Sequence, residues 1–254
     1  MLILLSPAKT MTGTSTIKVP GATVPFFQKE ANEIALNMAQ YTKEELEKRL
    51  KLSPKLAIES YNRYQEFHSP ESAPLQAILA YTGVVFQHIK PDDFTAEEFL
   101  FAHDHVRFVS ICYGLLRPLD AIKPYRMEYT IRLPEFGTGN MYAFWKKRQT
   151  DLLIDEVNKA GGILLNLASM DVQPAFDWEK VEKSVQVITP DFKVVKNGKA
   201  KTIVIYAKMA RGEMTRYIIK NRITNPEEVK HFNWEGFHYI EQESDSKNWS
   251  FLQQ

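Results

Sequence analysis

The sequence predicts an α+β or mixed α/β fold in a single compact domain spanning residues 1–254. Three observations carry that expectation. Short apolar, β-branched runs stand singly among amphipathic segments, without the regular β–α alternation of a doubly wound sheet. Two such runs flank Asn197-Gly198 in FKVVKNGKAKTIVIY, and Asn-Gly is favoured in type I′ hairpin turns. The chain has 254 residues, 44% hydrophobic and 25% charged, enough for one large core, and shows neither repeat nor linker.

Taken in order, LILL (2–5) reads as a buried strand, and SPAKTMTGTST as a polar loop leaving its end. Residues 25–41 read as a helix, because Phe27, Ile34, Met38 and Tyr41 recur at helical spacing. Thr42 with Glu45 is a capping-box signature for a helix over 42–51. Ser53-Pro54 supplies an N-cap and first-turn proline for another, to about 67. LQAILAYTG (75–83) reads as a short strand. Thr95 and Glu98 open a helix at 96–106, and RFVSICY (107–113) follows as a strand. A loop stiffened by Pro118, Pro124 and Pro134 precedes a long helix that ends at Gly161-Gly162. ILLNLAS (163–169) is another buried strand, and after the hairpin come a helix at 207–222 and a late strand in FHYIEQES.

Net charge is +1, so any case for nucleic acid rests on local clustering. One cysteine, Cys112, excludes an internal disulfide framework and multi-cysteine zinc. Its apolar surroundings in sequence also argue against a thiol peroxidase. MLILLSPAKT lacks the leading cation and long apolar core of a signal peptide, and no stretch has the length of a membrane span. The expectation is a cytoplasmic monomer without a membrane anchor.

Three segments could hold an anion. The turn between the helices of 42–67 carries Lys48, Arg49, Lys51 and Lys55, with Ser53 as cap and no acid over 48–55. Such a helix-hairpin-helix arrangement can grip a phosphate backbone without reading bases. DNA-binding hairpins usually place glycine where this chain has Ser53-Pro54, and a plain packing hairpin is the alternative. The helix at 207–222 aligns Lys208, Arg216 and Lys220 on one face, with Arg211 beside Lys208. YGLLRPLDAIKPYRMEYTIRL (113–133) interleaves Arg117, Lys123, Arg126 and Arg132 with Tyr113, Tyr125 and Tyr129, which suits phosphate forks or ion pairs with Asp120 and Glu128. His103-x-His105 has no third metal ligand nearby, and Ser6 with Lys9, or Asn166, Ser169 and Asp171, complete no triad. No metal, cofactor or catalytic residue is assigned.

LLSPAKTM at the N-terminus, YGLLRPLDAIKPYR (113–126), LNLAS (165–169) and AKMARGEM (207–214) resemble the signature blocks of the YaaA family of bacterial peroxide stress proteins. The resemblance implies one α/β domain of unusual topology that limits oxidative damage. It also implies binding of duplex, bent or junction DNA, without sequence specificity, through the hairpin at 42–67 and a basic cleft. Lys9, Arg117, Arg126, Lys208 and Arg211 match the cleft blocks, and Arg216 follows on the same helix. The chain departs from the pattern at Asp171, Val172 and Met209, which bears on any fitted ligand more than on phosphate binding. An enzyme acting on a nucleobase, nucleotide or damaged DNA is the alternative, and it requires one deep pocket shared by Lys9, Arg117 and Arg211.

Overall fold

The structure, a computed structural model, describes residues 1–137, 139–196 and 198–253. In chain order the elements are β1 (Leu2–Leu5), α1 (Gln28–Met38), α2 (Lys43–Leu50), α3 (Pro54–Gln65), β2 (Leu75–Gln76), α4 (Ala77–Ala80), α5 (Val84–Ile89), α6 (Ala96–His105), β3 (Val106–Ser110), β4 (Gly114–Leu116) and β5 (Ala121–Ile122). Then come α7 (Met141–Lys159), β6 (Ile163–Asn166), α8 (Trp178–Ser184), β7 (Gln186–Lys196), β8 (Lys199–Lys201), α9 (Val204–Asn221), α10 (Pro226–Val229), β9 (Phe237–Ile240) and β10 (Asn248–Gln253).

Among the described residues these form an eight-stranded sheet, ordered β4-β3-β1-β6-β7-β10-β9 with β8 on β7, and a β2–β5 ribbon. The five strands from β3 to β10 run parallel, while β4, β8 and β9 are antiparallel to their neighbours. The fold is α+β with a mixed sheet in one compact domain, and its parallel centre is more regular than the isolated runs imply. A parallel strand buried on both faces reads as a continuous apolar run, and LILL of β1 is fully buried. β3 and β6 flank β1 on opposite sides. The carboxyl ends of these three strands therefore meet at a topological switch point, where open sheets place their ligand-binding loops.

The hairpin of α2 and α3 follows its local chemistry. Thr42 and Glu45 close the capping box in both directions, at 3.2 and 2.9 Å. Ser53 caps α3 with Pro54 at its first position. Leu46, Leu50, Ala57 and Tyr64 bury the inner faces. Lys51 ends α2 at φ 52°, a left-handed position that glycine occupies more easily.

Several sequence expectations are corrected. The expected strand at 75–83 forms a ladder only at Leu75–Gln76, turns helical over Ala77–Ala80 and then meets Met11 through a single bridge at Tyr81. The β-branched run TIVIY does not lengthen the hairpin: β8 stops at Lys201, and α9 begins at Val204, whose side chain stays exposed. Here the helix takes residues of strand propensity, as tertiary packing often dictates. Lys196 faces Lys199 across the hairpin, and Gly198 has φ 70°, while Asn197 of that turn lies outside the described residues. β10, which extends the sheet beside β7, had no sequence signal strong enough to read.

Two glycines permit close approaches. Gly114 turns β3 into β4 at φ 66°, where a Cβ would lie 2.6 Å from the Trp145 ring. Gly212 lies where α9 packs on α5, and a Cβ there would overlap the Val85 carbonyl oxygen and the His88 side chain. Gly212→Ala is therefore expected to destabilise the fold by about 1–3 kcal/mol through overpacking, despite alanine's better helix propensity. Urea unfolding would measure this, and a gain in stability would show that the two helices do not meet so closely.

Candidate anion-binding groove

The segment 123–133 has no strand or helix, yet Tyr125, Met127, Tyr129, Ile131 and Leu133 are buried. A buried chain without a ladder must satisfy its polar groups by other means. Tyrosine hydroxyls supply part of that need. The Tyr64 hydroxyl donates to the Arg126 carbonyl at 2.6 Å. The Lys123 backbone N–H donates to the Tyr113 hydroxyl at 2.9 Å. The Tyr125 hydroxyl accepts from the Ile111 N–H at 3.3 Å and meets Ser110 Oγ at 2.8 Å and the Tyr81 hydroxyl at 3.0 Å. Burial pushes the Tyr125 phenol up to about 12, so it stays protonated near neutral pH.

This anchored strap fixes Arg126. Its Nη1 donates to the Lys9 carbonyl at 3.0 Å, tying the strap to the loop that leaves β1. Lys9, Arg126, Glu128 and Thr130 then line a groove of about 310 Å³ with Arg49, Leu50 and Lys51 from the α2–α3 turn. Four cations face one carboxylate, and that carboxylate is engaged: Lys9 Nζ donates to Glu128 Oε1 at 2.6 Å. Arg49 stacks 4.3 Å over the Tyr41 ring. Lys48, Lys51, Ser53 and Lys55 are exposed around the same turn. Pro54 offers no N–H, and Ser53 Oγ already accepts from Leu56, so anion affinity at this turn rests on side-chain charge rather than on the helix end.

The other sequence candidates lie elsewhere. Arg117 is committed to Asp120, which is fully buried, with Nε and Nη2 at 3.1 and 2.8 Å, and it stacks over Phe26. Arg216 is held by Asp93 at 2.8 Å, and Lys220 by Glu98 at 3.0 Å, so both brace α9 against α6 and the turn before it. The Arg216 guanidinium holds the Asp93 carboxyl down at about 2. Lys208 is exposed on the first turns of α9. Arg211 is largely buried, with its Nε unpaired, and burial lowers its pKa while Asp191 opposes that shift. The groove that Lys9 lines contains neither Arg117 nor Arg211, so the single shared pocket required by the nucleotide-chemistry reading is not formed there.

Ser6 Oγ meets Ser169 Oγ at 3.1 Å and accepts the Ser169 N–H at 2.8 Å. Lys9 turns to Glu128, so it is not a base for Ser6. His105 pairs with the Met1 carbonyl, and His103 accepts from the Leu119 N–H. Among the described residues no three His, Cys, Asp or Glu side chains are grouped to hold a metal. Cys112 is fully buried, and burial pushes its thiol far up, away from thiolate reactivity. Thr130 and the supporting hydroxyls of Tyr64, Tyr81 and Ser110 were not readable as site residues, because an uncharged hydroxyl gives no sign in the sequence of the partner it will meet, even within 42–67 and 113–133.

Fold and groove together define a class: a mixed-sheet α+β domain with a cationic groove between a helical hairpin and a loop at the sheet's switch point. The chain belongs to the family described as peroxide stress protein YaaA, whose model matches residues 1–243. A UPF0246 protein of Parabacteroides distasonis is 66% identical over 254 residues, covering 100% of both chains. One from Bacteroides fragilis is 56% identical over 251 residues, covering 99% of this chain and 98% of its own. One from Crocosphaera subtropica is 38% identical over 253 residues, covering 99% and 100%. No helix among the described residues is long and apolar enough to cross a membrane.

Removing the Tyr125 hydroxyl leaves Ser110, Tyr81 and the Ile111 N–H short of a buried partner. Tyr125→Phe is expected to cost about 1–3 kcal/mol in urea unfolding. The folded pKa is raised, so this contribution is complete below the phenol's ordinary value of about 10 and fades as pH rises through about 12. A neutral substitution would show that the strap is held by packing alone.

Proposed function

We propose that the protein binds DNA through backbone phosphates and so limits oxidative damage during peroxide stress. The observation that carries this reading is the convergence of Lys9, Arg49, Lys51 and Arg126 on one groove, from three separate segments, against a single engaged acid. An excess of cations in one groove suits a polyanion, and Arg126 retains guanidinium donors beyond the one given to Lys9. The exposed Lys48, Ser53 and Lys55 extend the contact along a hairpin of the helix-hairpin-helix type. The groove-lining Lys9, Arg49, Lys51 and Arg126 suit backbone phosphates, and the ligand in this reading is duplex, bent or junction DNA taken without sequence preference. The protein acts as a monomer in the cytoplasm and holds DNA without chemical turnover.

Such binding is expected to weaken steeply with salt, because each neutralised phosphate contributes a log–log slope of about −0.9 on duplex DNA. Arg126→Ala and Lys51→Glu should each flatten that slope by roughly one unit in fluorescence-anisotropy titrations. Lys51→Gly separates binding from folding. It removes a groove cation and relieves a left-handed backbone at φ 52°. It should weaken DNA binding while holding or raising stability by up to about 1 kcal/mol. Unchanged affinity and slope in all three variants would remove the groove from the account.

A further inference from the structure

A second pocket, of about 390 Å³, shares no lining residue with the cationic groove and lies at the C-terminal end of α3. Its size falls within the range of about 300–1,000 Å³ typical of small-molecule sites. Three features give it a chemistry. Lys123 Nζ donates to the Phe67 and Ser69 carbonyls at 2.7 and 3.0 Å, and no carboxylate pairs with it among the described residues. An ammonium group has three donors, so one N–H remains for an anion. None of the residues lining the pocket is acidic.

Gln28 and Asn32, one turn apart on α1, line the same pocket, and Gln28 Nε2 donates to Asn32 Oδ1 at 2.8 Å. That bond leaves Gln28 Oε1 as an acceptor and Asn32 Nδ2 as a donor, neither engaged by another side chain or backbone group among the described residues. A paired acceptor and donor on neighbouring amides complements the amino and ring-nitrogen edge of adenine or cytosine. Val24, Pro25, Phe67 and Pro74 add apolar wall beside the His68 and Tyr113 rings, surfaces against which a flat heterocycle can rest.

We propose that this pocket binds a nucleoside monophosphate unit, with Lys123 on the phosphate and the Gln28–Asn32 amide edge on the base. The proposal is independent of the DNA-binding groove, which lies on different residues. The unit could be a free mononucleotide or a nucleotide extruded from a DNA strand, since both present the same base and phosphate.

Calorimetric titration of the full chain with AMP and CMP tests it, with adenosine and inorganic phosphate as controls. Saturable binding of AMP or CMP, at least tenfold tighter than adenosine or phosphate alone, is expected. Lys123→Met should weaken the mononucleotide at least tenfold and leave adenosine little changed. Because Lys123 also braces the strap, Asn32→Leu on the exposed face of α1 provides a second variant, expected to weaken AMP and adenosine alike. Competition distinguishes the sources. If a duplex with one unpaired adenosine displaces AMP better than a fully paired duplex does, the extruded nucleotide is the occupant; if neither displaces it, the free nucleotide is. Both outcomes support the site. No saturable binding of either mononucleotide at millimolar concentration, or unchanged AMP affinity in both variants, overturns the proposal and leaves the DNA-binding reading untouched.

Discussion

The buried hydroxyl network around Tyr125 is the constraint on which the functional surface depends. The chain from Lys123 to Leu133 buries every second side chain with neither helix nor strand to satisfy its backbone. Tyr64, Tyr113, Tyr125, Ser110 and Tyr81 supply donors and acceptors for the strap and its surroundings, each within 3.0 Å of its partner. Each such bond contributes only about 1 kcal/mol net, but an unmade one costs about 1–3 kcal/mol. The network thus specifies a single path for the strap. On that path Arg126 points to the loop after β1, and Lys123 points to the end of α3.

Pairing sorts the many cations of this chain into two roles. Arg107 sits beside Glu156 at 2.6 Å, both nearly buried, and fastens β3 to α7. Arg117 is likewise engaged by Asp120 of its own loop, and Arg216 and Lys220 by acids of neighbouring elements. Breaking the buried Arg107–Glu156 pair on one side only costs several kcal/mol, and the partly exposed pairs of Arg216 and Lys220 contribute less but still occupy those side chains. Lys51 and Arg126 have no acidic partner among the described residues, while Lys9 shares Glu128 at the surface, where such a pair contributes little. With net charge near zero overall, it is this local separation of paired and unpaired cations that gives the groove its sign.

Much of the fold was legible where local chemistry decides. The Thr42–Glu45 and Thr95–Glu98 capping boxes and the Ser53-Pro54 start formed as their sequences imply. The cationic turn at Lys48, Arg49 and Lys51 was equally plain. Long-range partners were not. Arg117 and Arg126 each have an acid two or three residues on, yet Arg117 pairs with its own Asp120, while Glu128 goes to Lys9 and Arg126 meets a loop more than a hundred residues away. The face of α9 carrying Arg216 and Lys220 looked available to an anion because Asp93 and Glu98 lie on another segment. TIVIY shows the same limit: Val204, Ile205 and Tyr206 have strand propensity but form the first turn of α9, a helix that packs on α5 around Gly212.

The central claim, that one groove built by hairpin, strap and β1 loop receives the DNA backbone, is tested most directly by hydrogen–deuterium exchange with and without a DNA duplex. The account predicts new protection confined to the loop at Ser6–Thr10, the turn at Arg49–Lys55 and the strap at Arg126–Thr130, rising and falling together with DNA concentration. Protection centred on the Lys208–Arg211 turn of α9, with those three segments unchanged, would contradict it.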